Sequence, residues 1–175
     1  MRDRYDRILV NGQVHDAVYF HLPEERDGYL SNWYLSAFDL DGITFSSSEQ
    51  YIMYRKCLLF GDSVSAAAVL ATDDPAKQQA IGRKAGGFNG RAWDGMKQLF
   101  AFRGVLAKFS QNPDLARQLL STGDAYLVEC AHSDTIWACG FRPDEDGRLD
   151  MDKWRGQNLL GFLLMEVRRV LQSNR

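Results

Sequence analysis

The sequence predicts a mainly α protein, a single compact helical domain over residues 1–175 with a few short β-strands or a small hairpin near the N-terminus. Three observations predict it. Helix-start residues recur from residue 46 onward, as serine, aspartate or asparagine and with proline behind two of them. The longest patterned stretch, near residues 93–109, repeats apolar residues at spacings of three and four. Before residue 46 the chain instead shows short apolar runs with turn residues between them. At 175 residues, 45% hydrophobic and 25% charged, it has the size and composition to bury a real core in one domain.

The elements follow in order. Val18-Tyr19-Phe20 is a short extended run, and residues 38–45 carry an Asp41-Gly42 pair between alternating apolar residues, the pattern of a β-hairpin. Ser46-Ser47-Ser48-Glu49 has the S-x-x-E form of a capping box, which starts a helix running to Phe60 and stopping at Gly61. Asp62 caps a helix over residues 63–70. Asp74 caps another with Pro75 at its first position, ended by Gly86-Gly87. In the long helix, Leu99, Phe102, Leu106 and Phe109 form the expected apolar face. Asn112-Pro113 opens a short helix ending near Gly123, Tyr126-Leu127-Val128 is a brief buried strand, and residues 140–156 are a loop. A last amphipathic helix covers residues 159–171.

Several function classes fall away. The formal net charge is -2, so no sequence-wide basic footprint grips long nucleic acid. Cys57, Cys130 and Cys139 form no CxxC pair, and His15, His21 and His132 add no ligand spacing; neither a disulfide framework nor a metal site is expected. The mixed-charge start, Met1-Arg2-Asp3-Arg4-Tyr5-Asp6, lacks the apolar core of a signal peptide. No apolar run approaches the ~20 residues of a membrane helix. These features point to a soluble, cytoplasmic protein without a membrane partner and without a cofactor.

Three segments offer chemistry, and each has a plain structural alternative. Glu49 at a helix start sits in the positive end of the macrodipole, which favours its ionised form; equally, it completes the capping box with Ser46. Lys56 lies two helical turns on, on the same face. Asp134 and Trp137 follow a strand-like run on a loop, where binding groups concentrate, or they are a turn residue and a core plug. Gly156-Gln157-Asn158-Leu159-Leu160-Gly161 begins a helix whose free N–H groups suit phosphate, or Asn158 is an ordinary cap. Trp33, Trp93 and Trp137 are candidates for stacking on a base.

Together these segments resemble the NADAR superfamily, whose YbiA-type members are N-glycosidases. The resemblance spans roughly residues 30–171 and rests on an ordered set of landmarks. These are Leu30-Ser31-Asn32-Trp33, Ser48-Glu49-Gln50-Tyr51, Lys56, Gly82-Arg83, Trp93, Ala107-Lys108-Phe109, Leu120-Ser121-Thr122, Glu129, Asp134-Thr135-Ile136-Trp137 and Gly156-Gln157-Asn158-Leu159-Leu160-Gly161.

The resemblance implies a mostly helical YbiA-like fold and metal-independent hydrolysis of the bond between a phosphorylated ribose and a base nitrogen. It matches Glu49, Trp93, Asp134 and Trp137 to active-site positions, with Ser31, Asn32 and Lys56 in the same pocket. Glu49 is expected to act as base or ion stabiliser and Asp134 to position water or ribose hydroxyls, because departure of the base builds positive charge on the sugar. Lys56, Arg83 and the helix start at Asn158 would meet phosphates. The expected substrate is ADP-ribose on guanine, in ADP-ribosylated single-stranded DNA. The alternatives are 5-phosphoribosylamino-pyrimidine intermediates of riboflavin biosynthesis, a catalytically silent ADP-ribose or nucleotide binder, and a protein-interaction domain. Three departures from the family pattern bear on substrate choice: Gln50 stands where histidine is frequent, Ala138-Cys139 precedes Gly140, and residues 141–155 are longer.

Overall fold

The structure, a computed structural model, describes residues 5–173; the mixed-charge start over residues 1–4 lies outside the described residues. The fold is mainly α, as the sequence predicts, with six α-helices and five short strands among the described residues. Its contacts group the chain into two units. The first takes the residues up to Ser31 and those from Asp114 on, and the second is the continuous stretch Asn32–Pro113.

The first unit opens with a hairpin. Strands β1 (Asp6–Val10) and β2 (Gln13–Phe20) pair antiparallel across Asn11-Gly12, both at positive φ (49° and 76°). Two consecutive left-handed residues make the tight turn whose twist matches paired strands, and Asn-Gly is its preferred sequence. The hairpin adds to the extended character expected of this segment, and Asn11-Gly12 is its local signal.

The second unit begins with β3 (Phe38–Leu40) and β4 (Ile43–Phe45), the predicted Asp41-Gly42 hairpin, again with both turn residues at positive φ. Phe38 and Phe45 face Tyr51 of α1 (Ser48–Leu59), with ring centroids 6.5 and 5.1 Å from it. Helices α2 (Ser63–Leu70), α3 (Pro75–Arg83) and α4 (Gly90–Gln111) all pack on α1. Asp62, Asp74 and Asn89 cap these three through side-chain oxygens that accept from Ser65 N, Ala76 N and Ala92 N.

Helix α4 bears out part of the expected face, with Phe109 fully buried and Phe102 and Leu106 half-buried, and corrects the rest. Leu99 is 51% exposed, whereas Trp93, Lys97, Phe100, Ala101, Gly104 and Lys108 are buried. A glycine and two lysines lie on the buried side, so a pattern of large apolar residues finds that side only in part. Gly104 is required there: a Cβ on it would stand 2.7 Å from Tyr51 Cδ1.

Back in the first unit, α5 (Pro113–Leu120) leads to β5 (Tyr126–Glu129), which adds to the sheet parallel to β2 in the order β1-β2-β5. A long loop with two single 3₁₀ turns follows, then α6 (Leu159–Ser173) packs on β5. Gly161 permits that packing, since a Cβ would fall 2.0 Å from Leu127 O. Arg168 of α6, buried, donates to Thr122 Oγ1 at 2.6 Å and Ala125 O at 3.0 Å.

Candidate active site

Helix α1 is unusual in what it buries. Glu49, Gln50 and Lys56 are all less than a tenth exposed, and long polar side chains are rarely buried without a task. The first turn shows how the tasks divide. The cap is Ser47, one residue later than the expected Ser46, and its Oγ accepts from Gln50 N at 3.1 Å. Gln50, not Glu49, therefore occupies the third helical position. Its Oε1 accepts from Ser46 N at 2.7 Å while its Nε2 donates to Val69 O at 3.2 Å and Thr72 O at 3.0 Å. The capping-box reading of Ser46 and Glu49 is thus corrected by one residue. Three serines in a row made the register ambiguous. Glu49 stands at the second helical position, at the positive end of the helix, with its N–H donating to Asn32 O at 3.0 Å. Asn32 itself is buried, and its side-chain Oδ1 accepts no hydrogen bond from the described residues. Trp33 beside it is half-buried.

Two turns along α1, the Lys56 ammonium lies 4.8 Å from the centroid of Phe88 and 5.3 Å from that of Trp93. Burial lowers its pKa from the ordinary lysine value; Cys57 and Glu49 work against that shift, and Arg83 adds to it. Arg83 is exposed in the last turn of α3. The preceding Gly82 lets α3 sit directly on α1, since a Cβ there would be 2.3 Å from Met53 Sδ. The second unit therefore gathers Glu49, Lys56, Arg83 and Trp93 around one stretch of α1. Phe88, which no sequence pattern singles out, stands with them.

The first unit holds the other candidates. Asp134 is half-buried, and its Oδ1 accepts from Ile136 N at 2.9 Å and Trp137 N at 2.8 Å, the geometry of a turn-forming aspartate. Trp137 is half-buried. The segment around Asn158 grips this loop through its backbone: Gln157 N donates to Thr135 O, Asn158 N to Ala138 O, Leu159 N to Ile136 O and Leu160 N to Trp137 O, at 3.0 to 3.2 Å. Those helix-start N–H groups are thus engaged with protein carbonyls, which corrects the expectation that they are free for phosphate. Asn158, fully buried at φ 50°, donates to Leu127 O and accepts from Glu129 N, both at 2.9 Å, so its amide braces β5. Gly156 belongs to the same packing, with Ala138 O 2.2 Å from where its Cβ would be. Ser31, also buried, closes the 3₁₀ turn Gly28–Leu30 by donating its N–H to Gly28 O.

Among the described residues no group of three or more His, Cys, Asp or Glu side chains is placed to hold a metal ion. The three cysteines are free and buried. No helix among those residues is long and apolar enough to cross a membrane.

A buried helix start bearing a carboxylate, with a desolvated lysine on the same helix and aromatic rings of α4 and the connection before it against that lysine, is the equipment of a small-substrate enzyme rather than of an interaction surface. The comparisons give that class a family. The NADAR domain model matches residues 19–172, and the chain belongs to the NADAR family. N-glycosidase R617 of Acanthamoeba polyphaga mimivirus is 36% identical over 89% of this chain and 96% of its own length. Riboflavin biosynthesis protein VVA0006 of Vibrio vulnificus is 34% identical over 92% of this chain, which spans 40% of that protein. The NMR structure of the Escherichia coli protein YbiA matches with a TM-score of 0.75 at 27% identity, over 90% of this chain and 86% of that one. The protein is an enzyme of the N-glycosidase class, a hydrolase.

Proposed function

We propose that the protein removes ADP-ribose from guanine in ADP-ribosylated DNA by hydrolysing the bond from ribose C1′ to the base nitrogen. The observation that carries this reading is a buried carboxylate, Glu49, in the first turn of α1 at its positive end, on the same helix that buries Lys56 against Trp93. As the base departs, positive charge grows on the sugar, and a fixed carboxylate lowers the energy of that state. Water supplies hydroxyl to C1′ and a proton to the departing nitrogen, and Glu49 acts as the base or ion stabiliser.

The remaining roles follow from chemical type. Lys56 and Arg83, close enough for one to depress the pKa of the other, suit two adjacent phosphates better than one. Trp93 and Trp33 are the rings we assign to the base, and Asn32 Oδ1 is available to a ribose hydroxyl. The family resemblance assigns Asp134, Trp137 and Ser31 to the same reaction, with Asp134 orienting water or sugar hydroxyls. Asn158 enters as a brace.

A second substrate, the phosphoribosylamino-pyrimidine, is favoured by one finding: a relative at 34% identity is named a riboflavin biosynthesis protein. Measuring kcat/KM for both substrates at one salt concentration separates the two. A large preference for adducted DNA is expected. The reverse preference would move the protein to the pyrimidine branch, and no base release from either would refute the reading.

A further inference from the structure

Phe88 is 53% exposed, on the connection between α3 and α4, yet its position is closely determined. Asp62 Oδ2 accepts from Gly86 N at 2.8 Å, which pins the connection to the head of α2. Gly87 then turns at φ 69°, with Phe60 O only 3.1 Å from where its Cβ would be. The Phe88 ring meets Phe60 edge-on, with centroids 5.2 Å apart. Asn89, immediately after, caps α4 through Ala92 N. A large exposed ring held by an aspartate brace, a left-handed glycine and a helix cap is not a side chain left in solvent by accident.

Its neighbours say what it would meet. The Lys56 ammonium is shared between Phe88 and Trp93, at 4.8 and 5.3 Å from their centroids, and Trp93 is buried while Phe88 is open. One ammonium thus touches a buried ring and an open one. A ligand whose phosphates reach the Lys56 ammonium has Phe88, the exposed ring of the two, next to them. We infer that Phe88 is a stacking platform for a second base beyond the phosphates, the adenine of an ADP-ribosyl group. This rests on the assignment of Lys56 and Arg83 to phosphate. It makes Phe88 the residue that separates the two substrate branches, because 5-phosphoribose ends at its phosphate and has nothing to lay on the ring.

Calorimetric titration of the intact protein with ADP-ribose and with ribose 5-phosphate tests this. Base–aromatic stacking is worth ~1–3 kcal/mol, so Phe88→Ala should weaken ADP-ribose binding by roughly 5- to 150-fold. Ribose 5-phosphate affinity should stay within about twofold. Phe88→Trp should restore ADP-ribose binding, and Phe88→Leu, which keeps the apolar bulk without a π-face, should not. Equal weakening of both ligands by Phe88→Ala would overturn the inference, leaving the ring as a support for Lys56. So would unchanged ADP-ribose affinity, or a wild type for which the adenosine portion adds nothing; either leaves the N-glycosidase reading intact. A wild type that binds neither ligand would refute the inference together with the phosphate assignment.

Discussion

The first turn of α1 and the loop at residues 131–140 solve the same backbone problem in opposite ways. Both present N–H groups that no regular hydrogen bond satisfies. At α1 the need is met by residues beside the carboxylate: Ser47 accepts from Gln50 N, and Asn32 O accepts from Glu49 N. In the loop it is met by the carboxylate itself, Asp134 Oδ1 taking the N–H groups of Ile136 and Trp137. The difference teaches that two candidate carboxylates can stand in different relations to the backbone beside them. The N–H groups of Glu49 and Gln50 are held by Asn32 O and Ser47 Oγ, whereas Asp134 itself holds up the loop on which it sits.

The largest effect should come from breaking the α1 side. Glu49→Gln keeps size and helix position and removes the charge. Base release should fall by ~10²–10³ or more, the scale on which removing one well-placed electrostatic group acts, while the unfolding temperature barely moves. Full activity in the folded variant would refute the catalytic assignment.

On the loop side, charge and scaffold can be separated by choosing the replacement. Asp134→Asn retains an oxygen that can accept from Ile136 and Trp137, so it should lower base release by ~10²-fold with little loss of stability. Asp134→Ala removes the acceptor as well and should cost a further ~1 kcal/mol in urea unfolding. If the two variants are equally stable, the turn does not depend on Asp134 and the contrast with Glu49 disappears.

What the sequence made legible follows the same division. Elements announced by a local residue were read closely: Asp62 before α2, Asp74-Pro75 at α3, Asp41-Gly42 between β3 and β4. Elements decided by packing were not. The buried face of α4 includes Lys97, Gly104 and Lys108, and no hydropathy pattern selects a lysine and a glycine as the inside of a helix. The glycines at 156 and 161 are explained by contacts with Ala138 O and Leu127 O, partners distant in sequence. Candidate residues were named by type and order, but type could not say that the N–H groups near Asn158 are already engaged. Phe88 was missed because its signal, an exposed ring beside a buried lysine, exists only in three dimensions.

Lys108 sharpens the comparison from within the second unit, as a charge that the scaffold makes costly. It is buried beside Tyr34 and Phe109, and burial holds its pKa down to about 7 against the ordinary 10.5. Between those values the unfolded chain binds the proton and the folded one does not, so stability should rise with pH across the window. Its slope should reach up to ~1.4 kcal/mol per pH unit. Below about pH 7 both states are protonated and this contribution stays flat at its least favourable. Urea unfolding of wild type and Lys108→Met at pH 6.5, 7.5 and 8.5 checks it. The difference in stability, wild type minus variant, should grow with pH. A constant difference would mean that the ammonium keeps its proton in the fold.

The smallest effect tests the premise of the whole contrast, the one-residue shift of the cap. With Ser47 as the cap, Ser47→Ala should destabilise by ~1 kcal/mol, since it frees Gln50 N and also removes the contact from Ser47 Oγ to Gln78 Oε1 at 3.2 Å. Ser46→Ala should cost less. Its backbone N–H, the group that Gln50 Oε1 holds at 2.7 Å, survives the substitution, and only the longer side-chain contacts to Gln50 and Gln78 are lost. Neither change touches the Glu49 carboxylate, and Glu49 N stays on Asn32 O, so base release by the folded variants should remain within a few-fold of wild type. Stability and rate should therefore separate along three neighbouring residues: Ser47 moves the first, Glu49 the second, Ser46 neither by much. If Ser46→Ala proves the costlier of the two serine variants, the cap lies at Ser46. Glu49 then returns to the third helical position as the partner of a capping box, and its buried carboxylate serves the helix as Asp134 serves its loop.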